Sequence, residues 1–139
     1  MYTRSLIATE NVLSQISGAK QMQIEGLAWL GIRTSKFDET VRFLKEVLGL
    51  RAAREDHDFA VLKMPNDDTV EVFGPSDENH TFFRTGLVAG FLVENVKKAR
   101  AEMEARGIEF IGPIQGHGGG SWSHFRGPDG NIYEILSRS

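Results

Sequence analysis

Three side chains in this sequence carry groups that proton transfer or ion binding needs, and each stands in a strand-like stretch. Glu71 lies between Val70 and Val72, and Glu134 between Tyr133 and Ile135. Successive side chains of a strand point to opposite faces, so each carboxylate takes the face that its apolar neighbours leave. His124 shares a strand face with Trp122, while Ser123 and Phe125 share the other. An imidazole titrates near neutral pH, which makes His124 a candidate general base. Trp29, Trp122 and Phe73 are the flat surfaces on which an apolar or aromatic ligand would stack. Arg33 stands four residues after Trp29, on the same strand face, and could pair with Glu71 or hold an anionic group. His57, His80 and His117 fall in polar loops and read as solvent-exposed.

Elements to position these residues can be read from periodicity and punctuation. A strand is predicted over 26–34. A helix follows, with Asp38 as N-cap, Val41, Phe43, Leu44, Val47 and Leu48 as the apolar stripe, and Gly49 as the stop. Strands are predicted over 50–55, 59–64 and 69–73, the last closed by Gly74-Pro75. The same order then returns: a strand over 87–93, a helix capped by Asn95 and ended by Gly107, and strands over 108–111, 121–126 and 132–136. The Gly116–Gly120 stretch reads as a mobile flap; it lacks the Lys-Ser/Thr ending of a phosphate-binding loop. Repetition of a whole unit sets the architecture more firmly than any single motif. The chain is therefore expected to be α+β: two βαβββ modules, 26–75 and 86–137, forming a curved mixed sheet with a concave cleft. Residues 1–25 are expected as an N-terminal extension, its stretch 5–17 spaced for a short amphipathic helix or a loosely docked arm, ahead of a single domain over 26–139.

Composition narrows the function classes. With 139 residues, 40% hydrophobic and 25% charged, the chain suits one globular domain. A net charge of −3 gives no electrostatic reason for a nucleic-acid partner. The absence of cysteine excludes thiolate metal sites, disulfides and cysteine nucleophiles. No apolar run approaches the roughly 20 residues of a membrane span, and nothing at the N-terminus reads as a signal peptide, so a cytoplasmic location is the expectation by elimination.

The segments Trp29-Leu30-Gly31-Ile32-Arg33-Thr34, Phe43-Leu44-Lys45-Glu46-Val47-Leu48-Gly49-Leu50 and Gly127-Pro128-Asp129-Gly130-Asn131-Ile132-Tyr133-Glu134-Ile135 resemble the vicinal-oxygen-chelate superfamily, the glyoxalase/bleomycin-resistance/dioxygenase group. The resemblance spans residues 26–137. It implies a divalent metal held from the first and last strands of each module, at positions that fall here on Trp29, Glu71, Val88 and Glu134. The family most often has histidine at the first and third of these; tryptophan and valine cannot bind such an ion. The resemblance also puts Phe125 under a helix, which turns Trp122 and His124 toward the cleft and leaves His124 facing Glu134.

The expected function is binding of a small aromatic or apolar ligand in the cleft, lined by Trp29, Arg33, Phe73, Val88 and Trp122, with no cofactor. The alternative is a lyase, isomerase or dioxygenase-type enzyme of the same superfamily, with Glu71, Glu134 and His124 as catalytic groups. If a divalent metal were bound, Glu71, His124 and Glu134 would be its substitute ligands. The partners expected are a small molecule and a second copy of the chain, with no nucleic acid and no membrane. In the homodimer usual for the family, each cleft would draw Glu71 from one subunit and Glu134 from the other.

Overall fold

The computed structural model describes residues 22–138, so the helix expected at 5–17 lies outside the described residues. Strand β1 (Gly26–Arg33) leads into helix α1 (Phe37–Arg42), which continues as a π-turn (Phe43–Val47) before β2 (Arg51–Asp56), β3 (Phe59–Lys63) and β4 (Thr69–Phe73). The order then repeats as β5 (Val88–Leu92), α2 (Val96–Ala105), β6 (Phe110–His117), β7 (Gly120–Arg126) and β8 (Ile132–Ser137). Among the described residues no helix is long and apolar enough to cross a membrane.

Local chemistry explains most element ends. Asn95 caps α2, its side-chain oxygen accepting from the Lys98 amide at 2.9 Å, and so satisfies one of the donors that a helix start leaves orphaned. Asp38 does not cap α1. The N-cap is Lys36, two residues earlier, and Asp38 sits in the first turn, where a negative charge still meets the positive helix end. The helix widens after Arg42, with the Leu48 amide donating to the Phe43 carbonyl at 3.2 Å.

Two other expectations change. β6 does not stop at Gly112-Pro113; it runs on to His117, with a register shift between Ile111 and Gln115. β6 is an edge strand, and an edge tolerates the proline that a central ladder would reject. The Gly116–Gly120 stretch is the β6–β7 hairpin rather than a flap. Gly118 (φ 60°) and Gly119 (φ 88°) supply the two left-handed residues that a tight two-residue turn demands.

The strands form one eight-stranded mixed sheet in the order β2-β3-β4-β1-β5-β8-β7-β6. The expected curved sheet with a concave cleft is not what forms. β1 and β5 pair antiparallel with each other, so the second half of the sheet continues the first edge to edge, and among the described residues β2 and β6 are its two edges. The sheet is open, neither curled nor closed.

Both helices cover the same face. Val41 of α1 and Leu44 of the π-turn pack on Ala60, Leu62, Val70 and Val72. Val96, Ala99 and Met103 of α2 pack on Phe125 and Ile135, with Tyr133 beside them. Each such burial is worth about 1.5–3 kcal/mol for a large aliphatic or aromatic side chain. A one-residue slip of β4 would turn Glu71 under α1 and expose Val70 and Val72, so the register is strongly specified.

Candidate functional site

The face away from the helices carries a third apolar cluster, built from Trp29, Phe73, Phe83, Val88 and Ile132. Phe83 comes from the loop between β4 and β5, which folds back onto the sheet. Its ring meets Trp29 edge-on at 6.2 Å and Phe73 at 5.9 Å between centroids. Above this cluster lies a cavity of about 760 Å³. Small-ligand sites typically enclose roughly 300–1,000 Å³.

Trp29 owes its position to two glycines. Gly31 is two residues further along the same strand face, and Gly90 is the register partner of Trp29 on β5. A Cβ atom at residue 31 would stand 2.2 Å from Cη2 of the indole, and one at residue 90 would stand 2.8 Å from the Trp29 Cβ. The ring therefore lies in a trough that only glycine leaves open.

Of the residues singled out from sequence, Trp29, Glu71, Phe73, Trp122, His124 and Glu134 all line this cavity. Both carboxyl groups come from the same chain, so the cavity needs no second subunit to bring them together. Val88 does not line it. It is completely buried in the cluster beneath. Arg33 does not line it either and does not pair with Glu71. Its guanidinium donates to the Asp77 carbonyl at 3.1 Å, and its Nε stands 3.7 Å from the Asp77 carboxylate.

His124 and Glu134 are register partners on β7 and β8, and His124 Nε2 lies 2.9 Å from Glu134 Oε1. Each is only 4% exposed. The approach is close but not aligned as a hydrogen bond, so Nε2 is buried without a hydrogen-bond partner. Burial pushes the Glu134 carboxyl well above the usual carboxylate range, and the charge of Glu71 pushes it further. Burial lowers His124 from 6.5 to about 4. Glu71 is raised by burial too, held back by the Trp29 indole N–H beside it and by the charges of His80 and Lys63. The floor of the cavity thus holds a neutral imidazole, a carboxyl group that resists ionising, and a second one that resists it less. Groups tuned this way can donate and accept hydrogen bonds, or exchange a proton, near neutral pH.

They do not fit a metal. Of the four positions that the family motif indicates, Val88 is walled off and Trp29 offers no lone pair, so only two carboxyl groups remain. The substitute set of Glu71, His124 and Glu134 is not gathered for coordination: among the described residues no group of three or more histidine, aspartate or glutamate side chains could hold an ion.

Several cavity residues escaped the reading of the sequence. His80, read as exposed, lines the cavity, and so do Asp77 and Phe82 from the same loop. His117 lines it from the end of β6, whereas His57 stays exposed beside Asp58. The available signal was the pair Phe82-Phe83. Two adjacent large apolar residues in an otherwise polar loop mark a loop that packs down rather than one that projects.

A sequence profile for the glyoxalase/bleomycin resistance protein/dioxygenase superfamily matches residues 26–135. No curated protein matches the chain. Among solved structures, methylmalonyl-CoA epimerase from Mycobacterium tuberculosis is similar with a TM-score of 0.64 at 15% identity, over 87% of this chain and 92% of that one. The Mn(II)-bound glyoxalase from Novosphingobium aromaticivorans aligns at 0.66 and 21% identity, over 84% of this chain and 40% of that one. A hypothetical protein, BH1468, from Bacillus halodurans aligns at 0.65 and 19%, over 82% and 94%. At such identities the likeness is one of fold.

Proposed function

The chain belongs to the glyoxalase/bleomycin resistance protein/dioxygenase superfamily, and from that premise we propose that it binds a small, uncharged, partly aromatic molecule in its cavity without the usual metal. The observation that carries this reading is the pairing of an aromatic wall with a neutral polar floor. Trp29, Phe59, Phe73, Phe82 and Trp122 line the cavity, while Glu134 and His124 meet below them. Rings in the wall favour a flat ligand. A polar floor made of His124 and Glu134 favours a ligand that brings a hydrogen-bonding group of its own.

Fluorescence tests it directly, because the chain has 2 tryptophans and both line the cavity. Uncharged monocyclic and bicyclic aromatics should give a saturable change in emission, unaltered after dialysis against a chelator. Trp122→Ala should weaken binding about tenfold, as expected when a stacking contact worth roughly 1.5 kcal/mol is lost. No saturable change up to millimolar ligand, or loss of binding with the chelator, would count against the reading.

A second reading, proton transfer by Glu71, Glu134 or His124 in a lyase or isomerase, is favoured by the raised carboxyls. The same ligands, recovered from deuterium oxide, decide it: deuterium gained at carbon supports an enzyme, and unchanged ligand supports binding alone.

We further propose a homodimer. Among the described residues β2 and β6 are open edges, and open edges invite a partner strand. Sedimentation equilibrium at micromolar concentration should return twice the chain mass; a monomer would remove the proposal. Because Glu71 and Glu134 line one chain's cavity, mixing Trp29→Ala and Glu134→Gln chains should restore no binding.

A further inference from the structure

We propose that His80, oriented by Asp77, is a proton-accepting group of the cavity, and that it selects a ligand carrying an acidic aromatic hydroxyl, a phenol. The proposal rests on the ligand-binding reading above and deepens it.

The geometry begins in the loop between β4 and β5. The Asp77 carboxylate grips His80 twice: Oδ1 lies 3.0 Å from the ring Nδ1, and Oδ2 accepts the His80 backbone N–H at 2.8 Å. Arg33 reaches from β1 to hold Asp77 in turn, through its carbonyl at 3.1 Å and its carboxylate at 3.7 Å. A carboxylate at Nδ1 accepts the proton of that nitrogen, so the neutral ring carries its hydrogen there and keeps a lone pair on Nε2. Among the described residues no hydrogen bond uses that Nε2.

Packing fixes the plane of the ring as firmly as Asp77 fixes its tautomer. His80 stacks on Phe73 with centroids 3.8 Å apart and planes 20° apart, and Phe73 stacks on Phe59 at 5.7 Å and 22°. Phe83 touches His80 at 5.2 Å and His124 at 5.4 Å, so the two imidazoles flank one phenyl ring. The His80 side chain is 23% exposed, and both it and Asp77 line the cavity. An oriented base held in a column of stacked rings, with Phe82 also stacked on it at 6.5 Å and 25°, suits a planar ligand that offers a proton from its edge.

The step balances without another reactant. The phenol O–H bond breaks, the proton moves to His80 Nε2, and the electron pair stays on oxygen as phenolate. The new imidazolium is paired on one side with the phenolate and on the other with Asp77. Glu71, across the cavity wall on β4, lies within electrostatic reach of the same ring.

The probes are 4-nitrophenol, whose phenolate is coloured, and 4-nitroanisole, which has the same ring and no proton to give. The unaltered protein should bind 4-nitrophenol about tenfold or more tightly than 4-nitroanisole, the worth of a hydrogen bond to a charged group. The bound dye should show the phenolate band at a pH where the free dye is mostly neutral. His80→Phe keeps the stack on Phe73 but removes the acceptor. Asp77→Asn reverses the tautomer, because the backbone N–H holds the amide oxygen and leaves the NH₂ group facing Nδ1. Both variants should lose the phenolate band, and in each the ratio of 4-nitrophenol to 4-nitroanisole affinity should fall to about one. Equal binding of the two probes, or a preference that survives His80→Phe, overturns the proposal and leaves the cavity reading intact. Failure of both probes to bind the unaltered protein removes the proposal together with that reading.

Discussion

Glu134→Gln should make the protein more stable at neutral and mildly alkaline pH, against the usual effect of changing a buried residue. Glutamine has the same shape and no charge to bury. The folded state holds the Glu134 proton more tightly than the unfolded chain does, because burial and the Glu71 charge raise its pKa from 4.5. Such a group favours the folded state below 4.5, and that advantage is lost as pH rises through the raised folded value. Glutamine removes the loss. The gain should be on the order of 1 kcal/mol or more, at the low end of what neutralising buried ionic groups yields. His124 works in the opposite direction. Its folded pKa of about 4 lies below 6.5, so its contribution is complete above 6.5 and disappears as pH falls through 4. By linkage that is roughly 3 kcal/mol. Urea unfolding of the parent chain, Glu134→Gln and His124→Gln from pH 4 to 8 reads both. Glu134→Gln should flatten the alkaline limb and His124→Gln the acid limb. A glutamine variant equally destabilised at every pH would mean that Glu134 is a needed hydrogen-bonding group rather than a buried charge.

Trp29→Ala should be the most damaging single change on the cavity face, costing about 3–5 kcal/mol. The indole is 8% exposed and packs on Phe83, Gly31 and Gly90. Its removal empties the centre of the third cluster and takes the N–H away from Glu71, whose pKa should then rise further. Denaturant midpoints measure the first effect, and carboxyl titration by NMR measures the second. Trp29→Phe should recover part of the stability and none of the Glu71 effect. A loss under about 1 kcal/mol for Trp29→Ala would show that the ring is loosely seated and does not organise the site.

The parts of this site that were legible in the sequence are those that a two-residue period controls. Val70-Glu71-Val72, Tyr133-Glu134-Ile135 and Trp122-Ser123-His124 each state which face a side chain takes, and pairing then brings His124 to Glu134. Asn95 was legible for a similar reason: a cap is chemistry between neighbours in the chain. Sheet shape was not legible, because it depends on which edges find partners. The direct pairing of β1 with β5 makes one open sheet from segments that would equally suit a cupped one. Arg33 lies on the expected strand but answers to Asp77, whose position depends on where a loop lands. His80 was hidden for the same reason. Val88 has the expected register, yet the cluster around Trp29 and Phe83 seals it off, and burial of that kind follows from volume rather than pattern.

The glycine trough beneath Trp29 ties residues 29, 31 and 90 into a single unit of heredity. With alanine at 31 or 90 the indole has no place to lie, and with a smaller residue at 29 the trough stands empty. Changes at positions in contact do not add; the coupling between them amounts to about 0.5–3 kcal/mol. The seat of the indole at 29 therefore depends on both glycines. A histidine at 29 would sit over an unfilled groove, with the buried Val88 beneath the same cluster. The three positions thus act together: a change at any one of them is unfavourable unless the others change with it.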